Sequence, residues 1–211
     1  RFFTKALKAN DLKEPFESLF TQGMVCHHTY QNTDGQWVYP NDISEKGSQL
    51  TQTSTGKKVS MGPIESMSKS KKNIIDPESI IQNYGADSAR WFMLSDSPPE
   101  RDLQWTETGI VASKKFINKI WDLINKYKNY KSKSLKNELD KDPFRIIIND
   151  VTKNIEEFQF NKSVAKIYEY VNLLNDNIVK KNFSNEDFKW SLQKLSKILQ
   201  PFVPHISEEL W

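Results

Sequence analysis

Four helical stripes in the second half of the chain constrain the fold more than any other feature. Ile110, Ile117, Ile120, Trp121, Ile124 and Tyr127 recur at the spacing that gathers apolar side chains on one face of a helix. Phe144, Ile147, Ile148, Val151, Ile155 and Phe158 form a second stripe, and Val164, Ile167, Val171, Leu174 and Ile178 a third. Phe188, Leu192, Leu195, Ile198 and Leu199 form a fourth. The links between them, 131–142, 159–162 and 182–186, are short. Helices with one apolar face and short connections bury those faces against each other, so the pattern predicts an all-α bundle with the stripes as its core.

The first half has a different period. Phe2, Phe3, Ala6 and Leu7 suit an amphipathic helix at the start, followed by Pro15 and an apolar stretch over 16–25. From 24 to 39 the pattern is strand-like, with Asp34-Gly35 as a hairpin turn between 25–30 and 36–39. Residues 41–62 are polar and carry a second turn signal, Thr55-Gly56; they read as a small β insertion. Asp76-Pro77 is a helix start, since Asp caps and Pro fits the first turn. Helices are expected over 77–83 and 86–95, broken at Tyr84-Gly85. The segment 97–101, with Pro98-Pro99, is the expected domain boundary. The fold class expected is therefore an α+β N-terminal part over 1–100, then an α-helical bundle over 101–211.

Composition narrows the function. The 211 residues suffice for one large or two ordinary domains. No apolar run approaches membrane-spanning length, and no signal-peptide pattern opens the chain. Cys26 is the single cysteine, which excludes a disulfide framework and a thiolate zinc site and points to the cytoplasm. Cys26-His27-His28 is no metal cluster by this reading, because neighbours on a strand point to opposite faces. No protein-bound metal is expected. The net charge of +3 is too small to indicate nucleic-acid binding by itself. A first residue of Arg, and a helix just beginning at Trp211, suggest an internal fragment of a longer protein.

The segment Ser66-Met67-Ser68-Lys69-Ser70-Lys71-Lys72-Asn73 carries the chemistry. Its ammonium groups and hydroxyls, running toward a helix start, suit a polyphosphate. Its composition alone equally fits a solvated surface loop. The order of residues resembles the KMSKS signature of class I aminoacyl-tRNA synthetases, with Ser66 where that signature usually has Lys. Lys71-Lys72-Asn73 and Asp76-Pro77 continue as in the leucyl type. So do Gln22-Gly23-Met24-Val25, Tyr84-Gly85-Ala86-Asp87-Ser88-Ala89-Arg90, and the block from Ser97-Pro98-Pro99 to Gln104-Trp105. Pro201-Phe202-Val203-Pro204-His205-Ile206 closes the series. The blocks stand in order along the whole chain, which is similar to the leucyl-tRNA synthetases of bacterial type.

The resemblance implies a Rossmann-like catalytic domain ending in this loop, then an anticodon-binding-type bundle truncated at its C-terminal end. It implies ATP and leucine as substrates, Mg2+ with the ATP, tRNA(Leu) as partner, a monomer and no membrane. Lys69, the second Lys of the signature, is implied to contact the ATP phosphates while the leucine carboxylate attacks. Ser66, Met67, Ser68, Lys69 and Ser70 form the ATP loop; the hydroxyls either touch phosphate or only shape the loop. Ser66 cannot supply the missing charge; either Lys71 or Lys72 partly substitutes for it, or loop closure is weaker in this protein. Gly23 and Met24 fall near the adenosine pocket, although packing explains Gly23 equally well. Asp87 and Arg90 are expected to cap and ion-pair behind the loop, and Trp105 to pack the bundle onto the catalytic part. Lys114, Lys115, Lys119, Lys126 and Lys128 form a basic strip, continued by Lys131, Lys133 and Lys136, that by itself reads as a solvated Lys-rich face and that the resemblance makes a surface for RNA phosphates. Without the upstream HIGH-type motif, the fragment alone is expected to be inactive. A synthetase of the Val/Ile/Met subgroup and a non-catalytic RNA-binding helical module are the alternatives.

Overall fold

The structure, a computed structural model, describes residues 16, 18–131 and 139–211. The helix expected at Phe2–Leu7 and the linker residues Lys133 and Lys136 lie outside the described residues.

Among the described residues five strands and seven α-helices follow in order: β1 (Val25–Asn32), β2 (Ile43–Lys46), β3 (Gln49–Gln52), β4 (Lys58–Ser66), α1 (Pro77–Tyr84), α2 (Ala86–Ser95), β5 (Leu103–Gln104), α3 (Glu107–Asn129), α4 (Asp142–Glu156), α5 (Phe160–Lys180), α6 (Asn185–Leu199) and α7 (Pro204–Leu210). The strands form one mixed sheet in the order β2-β3-β4-β1-β5, antiparallel except for the β1–β5 pair.

The Asp34-Gly35 turn forms, held by the Asn32 side chain, whose Oδ1 accepts from Asp34 N and Gln36 N at 3.1 and 3.0 Å. The second arm of the expected hairpin makes only one bridge, Gln31 to Trp37, and then Pro40 starts a 3-10 turn over Pro40–Asp42. Pro has no N–H to extend a ladder. The partner of β1 along its length is instead β4, with Cys26 opposite Ser66 and Asn32 opposite Val59.

The insertion expected at 41–62 does not end at Gly62: β4 runs through Gly62-Pro63 to Ser66. Its pairing with β1 slips by one residue between His28 and Tyr30, a bulge that accommodates a proline inside a strand. Thr29 Oγ1 donates to Pro63 O at 3.2 Å, and His28 Nδ1 lies 3.0 Å from Gly62 O.

Asp76 caps α1, accepting from Glu78 N and Ser79 N, and Gly85 at φ +89° breaks α1 from α2. The chain then returns to the sheet beyond the expected boundary. Leu103 N donates to Met24 O, and Trp105 N to Cys26 O at 2.8 Å, so 103–105 lie along β1. Trp105 is buried with Ile80, Phe92, Leu103 and Ile110 in a small cluster between the sheet and α1, α2 and α3.

The large core belongs to the bundle. Ile120, Leu123, Val151, Ile167, Val171, Leu174, Leu195 and Leu199 are fully buried, all but Leu123 from the four stripes. Helix α2 joins this core through Trp91, which stacks on Phe116 at 4.5 Å and donates from Nε1 to Tyr168 Oη. Three stripe residues stay out of it, the first being Ile110, which belongs to the small cluster. Trp121 is 46 % exposed, and Phe158 lies on the surface stacked on Phe20 at 4.8 Å. Phe158 sits at φ +57° in the joint between α4 and α5, where the helical period has already ended. That joint is only 157–159, since α5 begins at Phe160 and not after Lys162. Among the described residues no helix is long and apolar enough to cross a membrane.

Candidate functional site: a basic loop at the end of a strand

The β1–β4 ladder ends where Met67 N donates to Val25 O at 3.0 Å, and the loop 68–72 begins there. Ser66, the first residue of the signature, is therefore the last residue of β4 and not part of the loop, with its Oγ 4.0 Å from Cys26 Sγ. Ser68 N donates to Asn73 Oδ1 at 2.8 Å and closes the base of the loop. Ser68 Oγ and Ser70 Oγ are 2.6 Å apart, so the hydroxyls bond each other. Lys72 takes a left-handed φ of +55°, and its N–H reaches back toward Lys69 O.

The three lysines differ in what they touch. Lys71 is ion-paired with Glu65 on β4, and the Lys72 ammonium lies 5.3 Å from the centroid of the Tyr39 ring. Lys69 is exposed, and no hydrogen bond or ion pair of its Nζ occurs among the described residues. Both residues that could replace the charge absent at Ser66 are thus engaged, which leaves Lys69 as the free ammonium of the loop.

Behind the loop, Asp87 and Arg90 do not pair with each other as expected. Both reach over a hundred residues along the chain, Asp87 to the first turn of α7 and Arg90 to the turn before it. The Asp87 carboxylate accepts from Ile206 N at 2.7 Å and His205 N at 3.3 Å, and its Oδ1 lies 3.2 Å from His205 Nδ1. Arg90 donates to Phe202 O and Pro201 O at 2.9 and 2.8 Å. Two sequence blocks recognised separately, 84–90 and 201–206, are therefore the two halves of one clamp.

Gly23 is tied to the same chain rather than open to a ligand. Its N–H donates to Pro99 O, and a Cβ there would stand 2.1 Å from Arg101 O. Met24 N donates to Asp102 Oδ1, while the Met24 side chain is exposed. A cleft of about 460 Å³ opens beside the loop, lined by His27, Tyr30, Tyr39, Asp76, Ser79 and Glu107 among others. Sequence reasoning did not find it, since its walls come from four separate segments. Burial lowers the affinity of the His27 imidazole for a proton, against the opposing hydrogen bond to His28 O.

The basic strip divides as well. Lys114 Nζ donates to Asn83 O, Lys119 Nζ to Asn172 Oδ1 and Lys126 Nζ to Asn175 Oδ1, so these three brace α3 against α1 and α5. Lys115 and Lys128 are exposed, and exposed Trp121 lies seven residues from Lys128, on the same helical face. Among the described residues no group of three or more His, Cys, Asp or Glu could hold a metal ion.

Two family models match the chain. Residues 48–106 match "tRNA synthetases class I (I, L, M and V)", and residues 144–211 match "Anticodon-binding domain of tRNA ligase". The leucine–tRNA ligase of Rickettsia bellii is 40% identical over 214 residues, which cover 100% of this chain and 26% of that protein. The leucine–tRNA ligase of Zymomonas mobilis is 42% identical over 214 residues, with 100% and 25% covered. The crystal structure of the ternary complex of Agrobacterium radiobacter K84 agnB2 LeuRS with tRNA and LeuAMS superposes with a TM-score of 0.69 at 27% identity, over 100% of this chain and 24% of that one. The chain thus spans about a quarter of the length of the curated relatives it matches. With the motif blocks in order from one end to the other and the fold in agreement, this chain belongs to the leucine–tRNA ligase family of class I aminoacyl-tRNA synthetases.

Proposed function

We propose that this chain supplies the ATP-phosphate loop and the tRNA-contacting bundle of a leucine–tRNA ligase. In the reaction, an oxygen of the leucine carboxylate attacks the α-phosphorus of ATP, which enters with its Mg2+ as substrate. The bond from that phosphorus to the bridging oxygen breaks, leucyl-adenylate forms and pyrophosphate leaves with the displaced electron pair. The leucyl group then passes to a terminal hydroxyl of tRNA(Leu), releasing AMP. Negative charge moves toward the β- and γ-phosphates in the first step. A cation placed there stabilises the transition state more than the ground state. Lys69 is our assignment for that cation.

The observation that carries this reading is the division among the loop lysines. Lys71 and Lys72 are held by Glu65 and Tyr39, and among the described residues Lys69 alone of the three has no partner and can meet a ligand. Met67, Ser68 and Ser70 shape the loop around it, and Ser66 lends no charge. Exposed Met24 is the residue at the start of β1 available to the adenosine. On the bundle, Lys115 and Lys128 are the phosphate contacts we favour over Lys114, Lys119 and Lys126, whose ammonium groups already have partners. A cytoplasmic site of action fits the single cysteine of this chain, Cys26, and the monomeric state is our reading from the family resemblance alone.

The test is leucine-dependent ATP–pyrophosphate exchange by the complete protein that carries this segment; the segment alone is expected to give none. Lys69→Ala should lower the rate by about 10²–10³, the usual effect of removing one transition-state donor. Ser66→Lys, which restores a second ammonium next to the loop, should raise it. Wild-type exchange in the Lys69 variant would remove that residue from the mechanism, and an unchanged or lower rate in the Ser66 variant would show that the absent charge does not limit loop function.

A further inference from the structure

We infer that Asn73 is a positioning residue that sets where Lys69 stands, by locking both ends of the phosphate loop to the β1–β4 ladder; this rests on the ligase reading above. Asn73 is fully buried beside a loop whose other polar side chains lie at least partly in solvent. A primary amide offers two N–H donors and a two-lone-pair acceptor, and a buried one must use them. Here both the oxygen and the amino group find partners within the site. Oδ1 accepts from Ser68 N at 2.8 Å. Nδ2 lies 3.3 Å from His27 O on β1, and 3.2 and 3.3 Å from Glu65 O and Ser66 O at the end of β4.

These partners define the role. His27 and Glu65 are opposite each other in the ladder, and Ser66 is the last residue of its strand. The last backbone bond of the ladder comes from Met67. Beyond it, strand pairing no longer fixes the chain, and one side chain takes over. It joins the first residue of the loop, Ser68, to the residue that ends it, five positions later. The left-handed Lys72 is what turns the Asn73 side chain back toward the strands. Lys69 then stands on a short bridge whose two feet share one buried amide. The amide lies below the loop, so it acts on the reaction only through Lys69.

A role confined to Lys69 has a consequence that general support of the fold lacks. Removing Asn73 should matter only while Lys69 is present. The experiment is a double-mutant cycle in the complete protein, read by leucine-dependent pyrophosphate exchange with ATP varied. Asn73→Ala should lower kcat by about tenfold to a hundredfold, the scale of a misplacement near 1 Å. In a Lys69→Ala background the same change should cost less than about threefold, because coupled residues are non-additive. Asn73→Ser, which keeps one hydroxyl, is the second variant if the alanine protein does not fold; it should show a smaller loss with the same dependence on Lys69. Equal losses in both backgrounds, or wild-type exchange in both variants, would overturn the role of Asn73 alone. No exchange by the unsubstituted protein would overturn the ligase reading, and the role with it. Amide hydrogen exchange at Ser68, measured in this chain without any substrate, separates the two failures. It should accelerate in the Asn73 variants, and unchanged protection would refute the latch whatever the reaction.

Discussion

In the bundle, Val151, Ile167, Val171, Leu174 and Leu195 are fully buried and meet through apolar surface, each near others of its own or a neighbouring stripe. In the sheet that carries the loop, the ties are polar side chains that bridge distant segments: Asn32 to Gln52, Asp42 to Ser54, Asn73 to His27. Burial of apolar area is non-directional and tolerates small shifts. Hydrogen bonds to named carbonyls do not, since an unpaired buried group is costly. The helical half is therefore stabilised by volume and the sheet half by geometry. A loop that must place one ammonium belongs in the second.

Four changes would break or sharpen that contrast. The largest effect is expected at Trp91, a residue of α2 that lies in the bundle core. Trp91→Ala should destabilise by about 3–5 kcal/mol in urea unfolding, the cost of emptying a large aromatic site. Because α2 directly precedes the return to the sheet, both regions should melt together; two separate transitions would show that Trp91 does not join them. Asp87→Ala comes next. It leaves Ile206 N and His205 N unpaired at the start of α7, at a cost of about 1–3 kcal/mol. Asp87→Asn should recover part of this, and no recovery would mean that the charge, and not the acceptor, holds the clamp.

A third change tests the surface of the bundle and not its core. With the complete protein and tRNA, replacing both Lys115 and Lys128 by Ala should reduce the salt slope of binding by about 0.9 per lost phosphate contact, while stability is unchanged. The same loss from Lys119 and Lys126 instead would reverse the assignment. The smallest effect is expected at Asp187, whose N–H donates to the N-cap Ser184 Oγ, whose carboxylate accepts from the Ser184 hydroxyl, and which is ion-paired with Lys141 at 2.9 Å. Burial pushes its carboxyl up, but hydrogen bonds from Lys141 and Ser184 outweigh this and hold it below the ordinary value. A depressed folded value gives stability that is full above the unfolded carboxyl range, near pH 4, and is lost as pH falls through the folded value. Asp187→Asn should thus cost about 1 kcal/mol near neutrality and flatten the loss of stability below pH 4. An equal acid slope in both proteins would refute it.

Much of the fold was legible because helices and turns are local. The spacing of the four stripes, Asp76-Pro77, the Tyr84-Gly85 break and the Asp34-Gly35 turn each act within a few residues. What was missed was non-local. Trp121 has the spacing of a core residue yet faces outward, because the stripe is wider than the face its neighbours cover. The second hairpin arm had strand composition, but β4 and β5 are the partners of β1 over most of its length. At the site, the order of residues marked the loop without telling its lysines apart. Ion pairing of Lys71 with Glu65 and stacking of Lys72 on Tyr39 depend on how β4 and the 3-10 turn come together.

The sequence by itself determined the family, the helical bundle and the position of the basic loop, because residue order and apolar spacing are properties of the chain alone. Only the tertiary structure decided which charge is free, that Ser66 ends a strand, and that Asn73 carries the loop. Those follow from which carbonyls and carboxylates converge on a given side chain, some from a few residues away and one from forty-six, and such convergence leaves no periodic trace in the chain.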